Sequence, residues 1–365
     1  MFIYDKKNCL VNLSNSILKR FNAPTFHDSI NEVDGLLAKH KKIVLFLCDG
    51  MGKNVLNANK EETKDLNAHA FRDITSTFPP TTVAATNALL SGKFPNEIGW
   101  LSWSQPFFNW ERCIDVFPGT DSQTGEKVPG FNYRELAYFP TIADQINKAN
   151  NKTIAQVMLE FPIDQEGHVG IKQCTERVAK FFSDKEEGFV YGYVTEPDHS
   201  SHTYGITSPE VKAELVNINN TITEFANAHP EILVLVIADH GHINVDELFL
   251  EDYPDFVELL DKPMCFEGRA ANFKVKEGKN KQFEDKFNQY FGKYFELYTK
   301  EQVIADEFYG PNPMPKQVEN MIGDYIAVAI SNVILIDLHI HDFFKGHHAG
   351  GTVEEGVIQI CAYNK

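Results

Sequence analysis

The sequence predicts an α/β fold, doubly wound around a mostly parallel sheet, with a small α+β insertion. Three observations carry that expectation. The runs "IVLFLC", "FVYGYV" and "ILVLVI" are continuously apolar, the texture of strands buried on both faces of a parallel sheet. Each run breaks within a few residues at an aspartate, in "CDGMG", "EPDHSSH" and "ADHGH". Between the second and third runs, "SPEVKAELVNINNTITEFANAHP" places Val211, Leu215, Ile218, Ile222 and Phe225 at helical spacing after a Ser-Pro-Glu start, which makes it a crossover helix. A chain of 365 residues with 43% hydrophobic content can bury the core such a fold needs.

The remaining elements follow in order. Residues 1–40 form a polar, mixed lead-in. In "FPPTTVAATNALLSG" the prolines cannot lie inside a helix, so a helix begins at Thr82 with Thr81 as its cap. "TIADQINKAN" followed by "KTIAQVML" reads as a helix and then a strand, continuing the α/β alternation. After His242 the texture changes to short strands, one amphipathic helix and many lysines. This suits an α+β insertion over 246–320, with the core formed by 1–245 and 321–365; "DYIAVAISNVILIDL" has strand texture again. No internal repeat or low-complexity segment interrupts the pattern.

Charge narrows the function classes. With 51 acidic against 34 basic residues, the net charge of −17 disfavours a nucleic-acid polymer or an anionic membrane as partner. A small phosphate-bearing substrate would need a local cation. The six cysteines stand singly, without a C-x-x-C pair, and read as reduced, packed thiols. The opening "MFIYDKKNCLVNLSNS" lacks a basic segment followed by an apolar run, and no eighteen-residue apolar stretch occurs, so the expectation is a cytoplasmic protein.

Asp49, Asp198, His202, Asp239, His240 and either His347 or His348 are candidate metal ligands gathered from strand ends and one glycine-rich loop. Taken singly, each aspartate reads as a turn or cap residue and each histidine as a hydrogen-bonded one. Their joint placement at the carboxyl ends of parallel strands, where ligands bind in open α/β sheets, points instead to a pair of divalent metals. The i, i+4 spacing of Asp198 and His202 places both on one helical face or one side of a tight loop. "DHG" is a weaker signal, with a turn as its plain alternative. "DGMGKNV" lacks the spacing of a phosphate-binding P-loop.

The ordered set "CDGMG", "GKFPNEIG", "EPDHSSHTYGITSPEV", "ADHG" and the late His-containing glycine loop resembles the alkaline phosphatase superfamily, most closely its nucleotide pyrophosphatase/phosphodiesterase branch, from Ile43 to Glu355. Ser201 stands where that family usually has glycine. The resemblance implies an alkaline phosphatase-like fold, one metal on Asp198, His202 and a late histidine, and a second on Asp49, Asp239 and His240, with the nucleophile bridging them. Spacing to Glu354 and Glu355 favours His348 over His347. The ligand types favour zinc, with manganese as the alternative.

Three threonines compete as nucleophile. Thr77, in "TFPP", matches a Thr-Phe-Pro sequence common in the family. The superfamily's register to a following [ST]-G pair, here Ser91-Gly92, selects Thr82 instead. In the first turn of its helix, Thr82 would meet unpaired backbone N–H groups and the positive end of the dipole. The implied activity is hydrolysis of a phosphodiester or nucleotide through a phospho-threonine. Phosphomonoester and phosphonate hydrolysis, a phosphomutase short of arginines (Arg72, Arg112, Arg134 and Arg269 being the available ones), and an idle metal-binding protein are the alternatives. The branch usually places a phosphate-binding asparagine where Trp103 stands. Trp103 is therefore a candidate substrate-binding residue, and Trp100, Phe107, Phe108 and Trp110 beside it form either an aromatic platform or packing.

Overall fold

Lys42–Cys48, Gly188–Val194 and Ile232–Ile237, the three apolar runs, lie side by side in the centre of a six-stranded sheet. The structure, a computed structural model, describes residues 4–136, 139–160, 167–337 and 343–365, with Arg134 described in its backbone alone. The sheet order is Ala70–Thr75, Val357–Tyr363, Ile232–Ile237, Lys42–Cys48, Gly188–Val194 and Ala155–Leu159. The last four are mutually parallel, with Val44 in register with both Val190 and Val234. Val357–Tyr363 is antiparallel to both its neighbours. The central strands are buried on both faces, and each Val, Leu or Ile so covered contributes roughly 1.5–3 kcal/mol.

The crossover helix spans Pro209–Ala228. Proline at its first position and the Ser208 hydroxyl, which accepts from the Val211 amide, start it, and Val211, Leu215, Ile218 and Ile222 turn into the core. Thr141 caps the helix Ile142–Asn150 in the same way. The lead-in is not merely polar: Leu10–Arg20 and Asn31–Leu37 are helices, and Leu10, Leu13 and Ile17 join the main core.

Beyond the central sheet, a four-stranded antiparallel sheet orders Cys265–Glu267, Ala270–Phe273, Tyr325–Ala329 and Phe295–Thr299. Phe283 and Phe287 of the helix Asn280–Tyr290 pack into its core. Tyr325–Ala329 thus pairs inside this sheet, and Val333–Ile336 pairs with Asp246–Phe249, so neither strand enters the central sheet. Leu338, at the end of the "DYIAVAISNVILIDL" run, lies outside the described residues.

A flap of three short strands, Ser104–Phe107, Arg112–Asp115 and Thr120–Asp121, rises between them. It corrects the reading of the cysteines. Cys113 of the flap and Cys265 of the small sheet form a disulfide with a Cα–Cα distance of 6.1 Å. The two are 152 residues apart, and only the tertiary fold brings them together. Cys9, Cys48, Cys174 and Cys361 are free and buried.

Candidate active site

The carboxyl edge of the central strands carries the site. Asp49 follows Cys48 directly, and the chain then turns at Gly50, whose φ of 68° favours glycine. A Cβ there would also meet the Asp198 Cβ at 2.9 Å, so glycine lets the two strand ends approach. Asp198 opens the helix Asp198–Tyr204, which puts His202 one turn later with its Nε2 3.3 Å from Asp198 Oδ2. Asp239 and His240 follow the strand Ile232–Ile237, and His348 lies in the late glycine loop.

These residues fall into two clusters. Asp198, His202, His242 and His348 each offer a ligand atom within 4.8 Å of the others, and Asp49, Asp239 and His240 form a second such group. Thr82, at the start of the buried helix Thr82–Ser91, projects toward the second group. Its Oγ1 lies 3.4 Å from Asp49 Oδ2 and 3.4 Å from His240 Nε2. Thr77 is buried elsewhere and does not line the site cavity.

Three histidines are held in one orientation. The Nδ1 of His202 meets the Gly346 carbonyl at 3.0 Å, that of His240 the Gly241 carbonyl at 3.1 Å, and that of His348 the Pro80 carbonyl at 3.1 Å. A carbonyl can only accept, so each Nδ1 carries a proton and each Nε2 is the atom turned toward the carboxylates, where a metal would take the place of its proton. His347 differs. Its Nδ1 turns back to the carbonyl and amide of His348, and it belongs to neither cluster.

The electrostatics also favour a cation. Burial and then the neighbouring Asp198 push Asp49 above the usual carboxylate range, and burial and then Asp49 push Asp239 well above it. Against burial, Asp239 and Asp49 raise His240 to about 10. Asp198 is held well below its usual value, against burial, by His202 and then His242. Asp239 Oδ2, Asp198 Oδ1 and both ring nitrogens of His242 are buried without a hydrogen-bond partner. His242 Nε2 and Asp198 Oδ1 approach to 3.2 Å without hydrogen-bond geometry. Buried carboxylates and lone-pair nitrogens converging in this way fit a pair of divalent metals.

The clusters open onto a cavity of about 1040 Å³. Trp103 lines it, whereas Trp100, Phe107 and Trp110 pack against Tyr133 and Phe131 within the flap. Phe108 is exposed. The aromatic platform therefore reduces to Trp103. The arginines are occupied: Arg72 pairs with Glu32, Arg112 with Asp121, and buried Arg269 with Glu355. Arg134's side chain lies outside the described residues.

Sequence reasoning missed three contributors. His242 was not among the sequence candidates, although its two-residue spacing from His240 in "ADHGH" was a usable signal. Tyr193, whose hydroxyl donates to Asp49 Oδ2 at 2.5 Å, is concealed in an apolar strand. Glu267 lines the cavity from the small sheet and has no local motif. Thr81 sits at the helix cap position, but its hydroxyl donates to Glu267 instead of capping.

A helix-borne hydroxyl and two carboxylate–imidazole clusters on the edge of this sheet define a phosphoric ester hydrolase of the alkaline phosphatase-like fold. The type I phosphodiesterase/nucleotide pyrophosphatase family model matches residues 43–348, and the chain belongs to that metal-dependent family of the alkaline phosphatase superfamily. Among solved structures it is similar to murine ectonucleotide pyrophosphatase/phosphodiesterase 5, with a TM-score of 0.66 at 15% identity over 88% of each chain. An inactive variant of that murine protein in complex with AMP gives 0.66 at 14% identity over 89% of this chain and 88% of that one. The human counterpart gives 0.62 at 15% identity over 88% of each chain. These likenesses speak for the fold. No curated protein sequence matches the chain significantly.

Proposed function

We propose that the chain hydrolyses small phosphodiesters, nucleotides among them, through a phospho-threonine on Thr82. The observation that carries this reading is the position of Thr82 Oγ1, in the first turn of a helix and 3.4 Å from both Asp49 Oδ2 and His240 Nε2. Asp198, His202 and His348, with His242 beside them, are the residues to hold one divalent ion, and Asp49, Asp239, His240 and Thr82 the residues to hold the other. Zinc, or manganese as the alternative, would supply Lewis-acid charge that lowers the proton affinity of the threonine hydroxyl and stabilises the leaving oxygen.

Asp49 and His240 orient Thr82 Oγ1, and Tyr193 fixes Asp49. Oγ1 bonds to phosphorus as the bond to the leaving alkoxide breaks. Water then cleaves the phospho-threonine in a second displacement, which releases a monoester and restores Thr82. The AMP complex of the murine relative supports a nucleotide among the substrates. A phosphomutase reading loses support because Arg72, Arg112 and Arg269 are spent in ion pairs. Phosphomonoester and phosphonate hydrolysis remain the competing reactions on the same residues.

The disulfide also bears on compartment. In place of the cytoplasm, we propose an oxidising environment, where such a bond persists. No helix among the described residues is long and apolar enough to cross a membrane.

Thr82→Ala tests the mechanism: hydrolysis of a nucleotide nitrophenyl ester is lost while metal content is kept. Full activity in that variant removes Thr82 as nucleophile. The parent protein assayed on a nitrophenyl monoester, a bis-nitrophenyl diester and a phosphonate then ranks the competing reactions.

A further inference from the structure

Glu267 is an acidic residue of the cavity wall that belongs to neither ligand cluster. It is 6% exposed and lines the same cavity as Thr82. Its Oε1 accepts from the Thr81 hydroxyl at 2.6 Å and from the Trp103 amide at 2.9 Å. Because Thr81 immediately precedes Thr82, this hydrogen bond ties the carboxyl to the residue next to the attacking threonine. Both hydrogen bonds fall on Oε1, and neither uses Oε2.

Burial pushes this carboxyl up, and the Thr81 and Trp103 hydrogen bonds, which favour the anion, oppose that push. Trp103 spends its amide on Glu267, so that donor is not available to a phosphate oxygen. Asp337 and Glu160 add further acid to the cavity walls, and among the described residues no lysine or arginine lines it. A bound phosphoryl group therefore meets positive charge only at the two ligand clusters, with the Glu267 carboxylate in the wall of the same cavity.

We propose that Glu267 is a specificity-determining residue that disfavours a phosphoryl group carrying two negative charges, and so restricts Thr82 to the singly charged phosphorus of a diester. This rests on the reading of the site as a phosphoesterase. The physical cause is like-charge repulsion in a partly desolvated pocket, which acts on a dianion more strongly than on a monoanion. A diester is admitted, and its monoester product, doubly charged, is expelled.

Calorimetric titration of the zinc-loaded protein with inorganic phosphate and with dimethyl phosphate, at about pH 8 where the first is a dianion, tests this without requiring turnover. In Glu267→Gln the affinity for phosphate relative to dimethyl phosphate rises at least about tenfold over the parent. Glu267→Ala, which removes the charge without keeping an amide, shifts the ratio in the same direction and guards against an effect peculiar to glutamine. A ratio within about twofold of the parent in both variants, with thermal unfolding unchanged, overturns the proposal. If the parent cleaves no phosphate ester yet the ratio shifts as stated, Glu267's selectivity stands and the hydrolase reading falls.

Discussion

Arg269 and Glu355 meet as a pair with no side-chain exposure, Nε to Oε1 at 2.7 Å and Nη2 to Oε2 at 2.8 Å. Glu355 also accepts from the Gly350 amide at 2.7 Å and the Thr352 hydroxyl at 2.6 Å, so the pair closes the loop that carries His348. Removing one partner strands a buried charge. Glu355→Gln is expected to cost about 3–5 kcal/mol in denaturant unfolding.

The pair also predicts a pH effect. Burial would raise Glu355, but Arg269 and the hydrogen bonds hold it below its usual value. A carboxyl depressed in the folded state contributes stability that is fully present above its unfolded pKa, near ~4.3, and lost as pH falls through the lower folded value. Unfolding free energy measured against pH should fall in that acid window for the parent and fall less steeply for Glu355→Gln.

His242 tests the first cluster. Its unpartnered ring nitrogens lie beside Asp198, with Nε2 at 3.2 Å. His242→Ala should weaken one of the two proposed metal sites about 10–100-fold in competition with a chelating dye, leaving the other unchanged. Equal affinity in parent and variant would assign His242 to packing.

Tyr193→Phe removes the hydrogen bond to Asp49 while keeping the ring. The expected result is a kcat/KM lower by about 10–100-fold on a diester substrate, with little change in thermal unfolding. An unchanged kcat/KM would show that Asp49 needs no such support.

Thiol counting tests the disulfide. The unreduced, denatured chain should react at four cysteines, and the reduced chain at all six. Six reactive thiols before reduction would refute the pairing of Cys113 with Cys265. The double variant Cys113→Ser/Cys265→Ser should lose about 2–4 kcal/mol of stability.

Much of the molecule was legible because its signals are local. Apolar runs ending in aspartate located the central strands, and the four-residue step from Asp198 to His202 matched one helical turn. Prolines before Thr81 marked the helix start at Thr82. What escaped depends on contacts remote in sequence. Glu267 is 186 positions from Thr81, so nothing near either residue announces their hydrogen bond. Thr81 looked like a cap because capping is the common use of that position, yet its hydroxyl is turned to the remote Glu267 carboxylate and accepts from no helix amide. Tyr325–Ala329 has core-strand texture, and an apolar run does not say which sheet it joins.

The disulfide from Cys113 to Cys265 and the Trp103–Glu267 hydrogen bond fasten the same two segments together, at points two residues apart on the strand Cys265–Glu267. The flap and the small sheet, which line one cavity with Thr82, are consequently stapled together, and the flap cannot separate from that sheet until the disulfide is reduced.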